Sequence, residues 1–112
     1  MAEKELILEE NLDEYSELAE QAFKTKKYNS AVTLFFKAIS AGVDLFILRK
    51  EGIVPSSHTN RFRIAQEKYP EIYDILDKDF PFYQDSYTQK MNKEAAEVLK
   101  EDAERIKKMA ES

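Results

Sequence analysis

The sequence predicts an all-α protein, an antiparallel, up-and-down bundle of about five helices making one domain over residues 1–112. Three observations carry that expectation. Only two glycines and three prolines punctuate 112 residues, so few breaks are available to a chain of this length. Apolar residues recur at helical spacing through most of it. No stretch shows the clean period-two alternation of a half-buried strand.

A first helix is expected from about Glu3 to Lys24, with Leu8, Leu12, Tyr15, Leu18, Ala19, Ala22 and Phe23 at helical spacing between acids and lysines. The polar connector "KTKKYNS" follows, where Asn29 or Ser30 is placed to cap the next helix. That second helix, about Asn29 to Glu51, is apolar over about two-thirds of its circumference. An ordinary surface helix buries less, so this one should be central or lie in a subunit interface. Gly42 inside it costs about 1 kcal/mol relative to alanine, which suggests either a close helix approach or a tolerated accident. Gly52 closes the helix, "IVPSS" forms a loop, and Ser57 is expected to cap a short third helix from His58 to Tyr69.

Pro70 opens a fourth segment with Ile72, Tyr73, Ile75 and Leu76 on one side, and Pro81 is expected to break it. Beyond it, "FYQDSYTQKM" is assigned to helix because Phe82, Tyr83 and Tyr87 need burial. From Asn92 a terminal helix carries Ala96, Leu99, Ala103, Ile106 and Met109 as its apolar stripe.

Composition narrows the function classes. The chain is 43% hydrophobic and 35% charged, a globular mixture rather than a disordered one. It has no cysteine and one histidine, which excludes disulfides and thiolate zinc sites and leaves no metal site to expect. No cofactor is expected. The net charge of −5 argues against non-specific duplex DNA as a partner. Lys37 and Asp44 interrupt the longest apolar run, so no membrane partner is expected. The opening "MAEKELILEE" lacks the basic and apolar regions of a secretory signal, so a cytoplasmic location is expected.

Two polar features stand out against this background. With Asn29 set at zero on the helical wheel, Thr33, Lys37, Ser40 and Asp44 all fall within roughly 80° of it. They form one polar stripe on an otherwise apolar helix. Short hydrogen-bonding side chains recur there in place of the Glu, Lys and Gln of a solvated face. The stripe is either the narrow solvent edge of a central helix or the lining of a cleft for a ligand or partner. The second feature is "PSSHTNRFR", which holds His58. Either His58 covers the start of the third helix, or it pairs with Arg61 one turn later to contact an anion. Arg49, Lys50, Arg61 and Arg63, close in sequence, are either a local basic patch or solvated charges at helix ends. Neither feature supplies a nucleophile with a base beside it, so no hydrolase triad is visible.

The stretch "YNSAVTLFFKAISAGVDLFILRKEGIVPSSH" resembles the central segment of HEPN domains (higher-eukaryote and prokaryote nucleotide-binding). There, an aromatic-rich helix ends in a basic or glycine turn followed by a proline and a histidine. The stretch "SYTQKMNKEAAEVLKEDAERI" is similar to the family's closing segment, and the resemblance spans about Leu12 to Met109. It implies a HEPN-like helical bundle, usually a homodimer, acting beside a minimal nucleotidyltransferase in a toxin–antitoxin pair. Many members are RNases that use an arginine followed four to six residues later by a histidine. Here that segment reads "PFYQDSYTQKM", with neither residue. The expectation is a module without catalysis of its own that binds a nucleotide, RNA or a nucleotidyltransferase partner. Its candidate cleft is Asn29, Thr33, Lys37, Ser40 and Asp44, and its anion-contacting candidates are Arg49, His58 and Arg61. The alternatives are an RNase with a rearranged Arg/His site and a structural oligomerisation protein.

Overall fold

The computed structural model describes residues 2–112. Its five helices are α1 (Glu3–Lys24), α2 (Tyr28–Glu51), α3 (His58–Lys68), α4 (Pro70–Asp85) and α5 (Lys93–Glu111). No strand occurs among the described residues.

Side-chain contacts between helices fix their directions. Arg49 near the end of α2 reaches Glu5 and Glu9 near the start of α1, so these two helices are antiparallel. Lys100 and Lys107 of α5 meet Glu20 and Asp13 of α1, so α5 also runs against α1 and therefore along α2. Tyr69, just before α4, hydrogen-bonds Glu51 at the end of α2, whereas Ser86 after α4 meets Thr33 near the start of α2. Hence α4 opposes α2. The four long helices alternate up and down, and α3 is a shorter piece laid between α2 and α4.

The centre is α2. Phe35, Phe36, Ile39, Val43 and Ile47 lie in one buried cluster with Ile72 and Leu76 of α4 and Leu99 and Ile106 of α5. On another side Ala38, Ala41 and Leu45 pack with Leu12 of α1 and Ala110 of α5. Each such large side chain contributes about 1.5–3 kcal/mol on burial. By length and composition α2 could cross a membrane, contrary to the expectation that Lys37 and Asp44 shorten its apolar run. Lys37 and Asp44 are the only charges before the terminal Arg49, Lys50 and Glu51, which leaves the helix apolar enough, but in this bundle most of it is buried against its neighbours. Its wide apolar surface is thus covered within one chain, and a second copy is not needed for that purpose.

Gly42 marks the close approach its position suggested. A Cβ there would lie 2.6 Å from Ile106 Cγ2 on α5 and 3.5 Å from Leu12 Cδ1 on α1. Gly52 takes the left-handed conformation (φ 78°) and its N–H donates to Leu48 O at 2.9 Å, closing α2. Ser57 and Asn92 cap α3 and α5 by accepting from Asn60 N and Ala95 N.

Helix α3 ends at Lys68, one residue short of the expected Tyr69, and three further details differ from the sequence expectation. Helix α2 begins at Tyr28 without a side-chain cap, because the Asn29 side chain reaches to the far end of α4 instead. Pro81 does not break α4. It removes one backbone donor, but Pro81 and Asp77, whose carbonyl loses that donor, are both exposed, while Phe80, Phe82 and Tyr83 anchor the surrounding turn to the core. The helix assigned to "FYQDSYTQKM" stops at Asp85, and Tyr87 is left exposed in the turn that follows.

Candidate functional site

The polar stripe of α2 divides into two parts with different surroundings. Asn29 donates to Ser86 O at 2.9 Å and Gln89 O at 2.7 Å, and accepts from Met91 N at 2.9 Å. Thr33 Oγ1 bonds Asn29 O at 3.0 Å and Ser86 Oγ at 2.8 Å. These two residues pin the α4–α5 connection to α2, with every polar atom of the Asn29 amide engaged.

Lys37, Ser40 and Asp44 lie further along and line one cleft of about 210 Å³. Helix α1 contributes Asn11 and Tyr15, α3 contributes His58, and α4 contributes Tyr83. Lys37 makes no ion pair among the described residues, and its Nζ stands 6.0 Å from the centre of the Tyr83 ring. Ser40 Oγ is buried with no hydrogen-bond partner among the described residues. The Tyr83 phenol is pushed up to about 12, by burial first and then by its bond to Tyr87.

Asp44 is buried in the wall, where one buried cation balances it. Arg61 Nε donates to Asp44 Oδ1 at 2.7 Å and Nη2 to Oδ2 at 2.9 Å. The two side chains are 10% and 11% exposed. An ion pair withdrawn from water is tolerable only with this kind of parallel, fully bonded geometry. The third arm of the guanidinium, Nη1, lies 2.9 Å from His58 Nδ1. The His58 ring also packs beside Phe80 at 5.3 Å, and Phe36 and Tyr83 at 6.2 Å each, between centroids. Its pKa is lowered, mainly by burial and then by the Arg61 charge, against the opposing pull of Asp44.

At the start of α3, His58 therefore packs against aromatic side chains of α2 and α4 and also contacts Arg61. The basic patch suggested by sequence proximity does not assemble. Arg49 faces away from the cleft, bonded to Glu5, Glu9 and the Ala110 carbonyl at 2.7 Å each. Arg61 is buried, and Lys50 lies over Phe46. Arg63 lines a second hollow of about 420 Å³ with Phe62, Gln66 and Phe80, on the other side of His58.

Sequence reasoning missed Asn11, Tyr15 and Tyr83 as cleft residues. Leu8, Asn11 and Tyr15 fall on one face of α1 at spacings of three and four, and a polar residue within that row was the available signal. Asp79 and Asp102 were also missed. They are buried at the α4–α5 contact, and Lys78 Nζ lies 2.9 Å from Asp102 Oδ2. Asp79 follows Ile72, Ile75 and Leu76 at helical spacing, and an acid in such a row is legible as unusual. Among the described residues, no three His, Cys, Asp or Glu side chains converge as a metal site. No family model, curated protein or solved structure matches this chain.

Proposed function

We propose that this chain is a HEPN-like module that binds a nucleotide, a nucleotidyltransferase partner, or both, in a toxin–antitoxin-type pair and without catalysis of its own. One observation carries the binding part. Lys37, Ser40 and His58, from two helices, line a single cleft in which, among the described residues, the lysine has no acidic partner and the serine hydroxyl has no hydrogen-bond partner. Solvated edges of helices do not need a buried Asp–Arg pair in their wall, whereas binding sites are built from a few placed polar groups in an apolar hollow. The HEPN reading and the partner rest on the sequence likeness from Leu12 to Met109, and a homodimer follows from that likeness alone.

The absence of catalysis is supported by the site chemistry. Arg49 is remote from His58, and Arg61 is bonded to both Asp44 and His58. A rearranged RNase site using Arg49, His58 or Arg61 would need the groups it uses to be free for the RNA. Equilibrium titration with adenosine 5′-monophosphate, alongside incubation with a structured RNA, tests the reading. Saturable binding with intact RNA is expected. RNA cleavage abolished by His58→Ala would replace it with the RNase alternative, and co-purification from the native host without a nucleotidyltransferase would remove the partner. Sedimentation at micromolar concentration tests the homodimer, which a clean monomer would contradict.

A further inference from the structure

We propose that the α1–α2 cleft is an oxyanion receptor, selecting a phosphate-type group, in which His58 serves as a fixed Nε2–H donor and not as an acid or base. The proposal deepens the binding reading above and rests on it. A guanidinium has donors only. The 2.9 Å contact between Arg61 Nη1 and His58 Nδ1 therefore makes Nδ1 the acceptor, and the single proton of a neutral imidazole must sit on Nε2. Asp44 holds Arg61 in place through its other two arms. The chain of contact runs from carboxylate to guanidinium to imidazole, and its outcome is one tautomer of one ring.

The consequence for chemistry is direct. Nδ1 is occupied, and Nε2 already carries its proton, so neutral His58 has no free lone pair with which to abstract one. Adding a second proton would place an N–H against the Arg61 N–H groups. Burial and the guanidinium charge act in the same direction, holding the pKa below its ordinary value. His58 is partly withdrawn among its aromatic neighbours yet remains accessible as a residue and lines the cleft, and in this proposal its Nε2–H serves a ligand there.

The cleft thus offers an imidazole N–H, the unpaired Lys37 ammonium and the Ser40 hydroxyl. The one carboxylate in its lining, Asp44, is neutralised by Arg61. Lys37 leaves the lining with one uncompensated positive charge. That combination disfavours a cation and favours an anion with several acceptor oxygens. At about 210 Å³ the hollow is smaller than the general range for drug-sized ligands, which suits a phosphate group with its adjoining atoms rather than a whole large ligand.

The single histidine makes the test unambiguous. Long-range proton–nitrogen spectra of ¹⁵N-labelled protein report which ring nitrogen carries hydrogen, with no mutation needed. A protonated Nε2 and bare Nδ1 at pH 7 are expected, with the Nε2 proton shifting on titration with inorganic phosphate or adenosine 5′-monophosphate. His58→Gln, whose amide nitrogen can stand where Nε2 stood, should bind within about threefold of wild type, whereas His58→Ala should lose about tenfold or more, as expected for a hydrogen bond to a charged group. An Nδ1–H tautomer, or a ring titrating at or above pH 6.5, overturns the donor assignment. Nucleotide binding that leaves the Nε2 signal and the His58→Ala affinity unchanged overturns the oxyanion site but leaves the binding reading standing. Failure of both probes to bind overturns the oxyanion site and the nucleotide-binding reading together. Tighter binding of the nucleotide than of inorganic phosphate identifies the nucleotide as the source of the group, and equal binding identifies a free phosphate.

Discussion

Arg61 holds Asp44 by two parallel hydrogen bonds, at 2.7 and 2.9 Å, across the junction of α3 and α2. This buried pair ties the start of the short third helix to the central helix, and the exposed pair of Lys68 with Glu51 at 2.8 Å ties its end. The buried pair both anchors α3 and sets the His58 ring.

Replacing Asp44 by alanine strands a buried guanidinium. A loss of about 3–5 kcal/mol is expected, the range for breaking a buried pair by removing one partner. The double variant Asp44→Ala/Arg61→Met, which removes both charges, should recover part of it. Urea unfolding of the two variants checks this, and an Asp44→Ala protein as stable as wild type would show that the pair is solvated in solution.

Gly42 should not accept a side chain. Alanine gains about 1 kcal/mol of intrinsic helix preference, but its Cβ would press 2.6 Å from Ile106 Cγ2. Overpacking of this kind typically costs about 1–3 kcal/mol, so Gly42→Ala should lower the melting temperature. Adding Ile106→Leu removes the β-branch methyl responsible and should recover part of the loss. A Gly42→Ala protein more stable than wild type would mean that α2 and α5 are further apart than described.

The bundle was legible in the sequence because helical periodicity depends only on local spacing. The apolar rows of α1, α2 and α5, the Ser57 cap and the Gly52 closure could all be read locally. The course of the chain around Pro81 could not, because its outcome depends on aromatic anchors from both flanking turns. The site was half legible. The wheel put Lys37, Ser40 and Asp44 on one face, and the spacing of three linked His58 to Arg61. The wheel could not show that Asn29 and Thr33 turn to the α4–α5 connection. Nor could it show that Asp44 meets Arg61, 17 residues away, because that contact depends on how the loop at 52–57 doubles back.

The buried carboxyl of Asp79 gives the fold an alkaline liability. Burial first, and then a hydrogen bond with Asp102, push its pKa up to about 9, from about 3.9 in an unfolded chain. Between those values the folded state holds a proton that the unfolded state has released, so this group's contribution to stability falls as pH rises. Asp79→Asn keeps a hydrogen-bond donor without the titration. It should melt above wild type at pH 8, with the difference shrinking toward pH 4. A difference that stays constant or grows on acidification would contradict the shared proton.

Lys37 is the residue on which the binding account turns, because it is half-buried, makes no ion pair among the described residues and lines the cleft. Lys37→Ala should change stability by no more than about 0.5 kcal/mol, as for a surface substitution outside any network. The most direct measurement is calorimetric titration of wild type and Lys37→Ala with adenosine 5′-monophosphate, with melting curves of both proteins as the control for folding. Saturable binding by wild type, weakened at least about tenfold in an equally stable variant as expected for a lost charge-assisted bond, is the predicted result. Equal affinity in the two proteins, or no binding by wild type, would contradict the cleft as a ligand site.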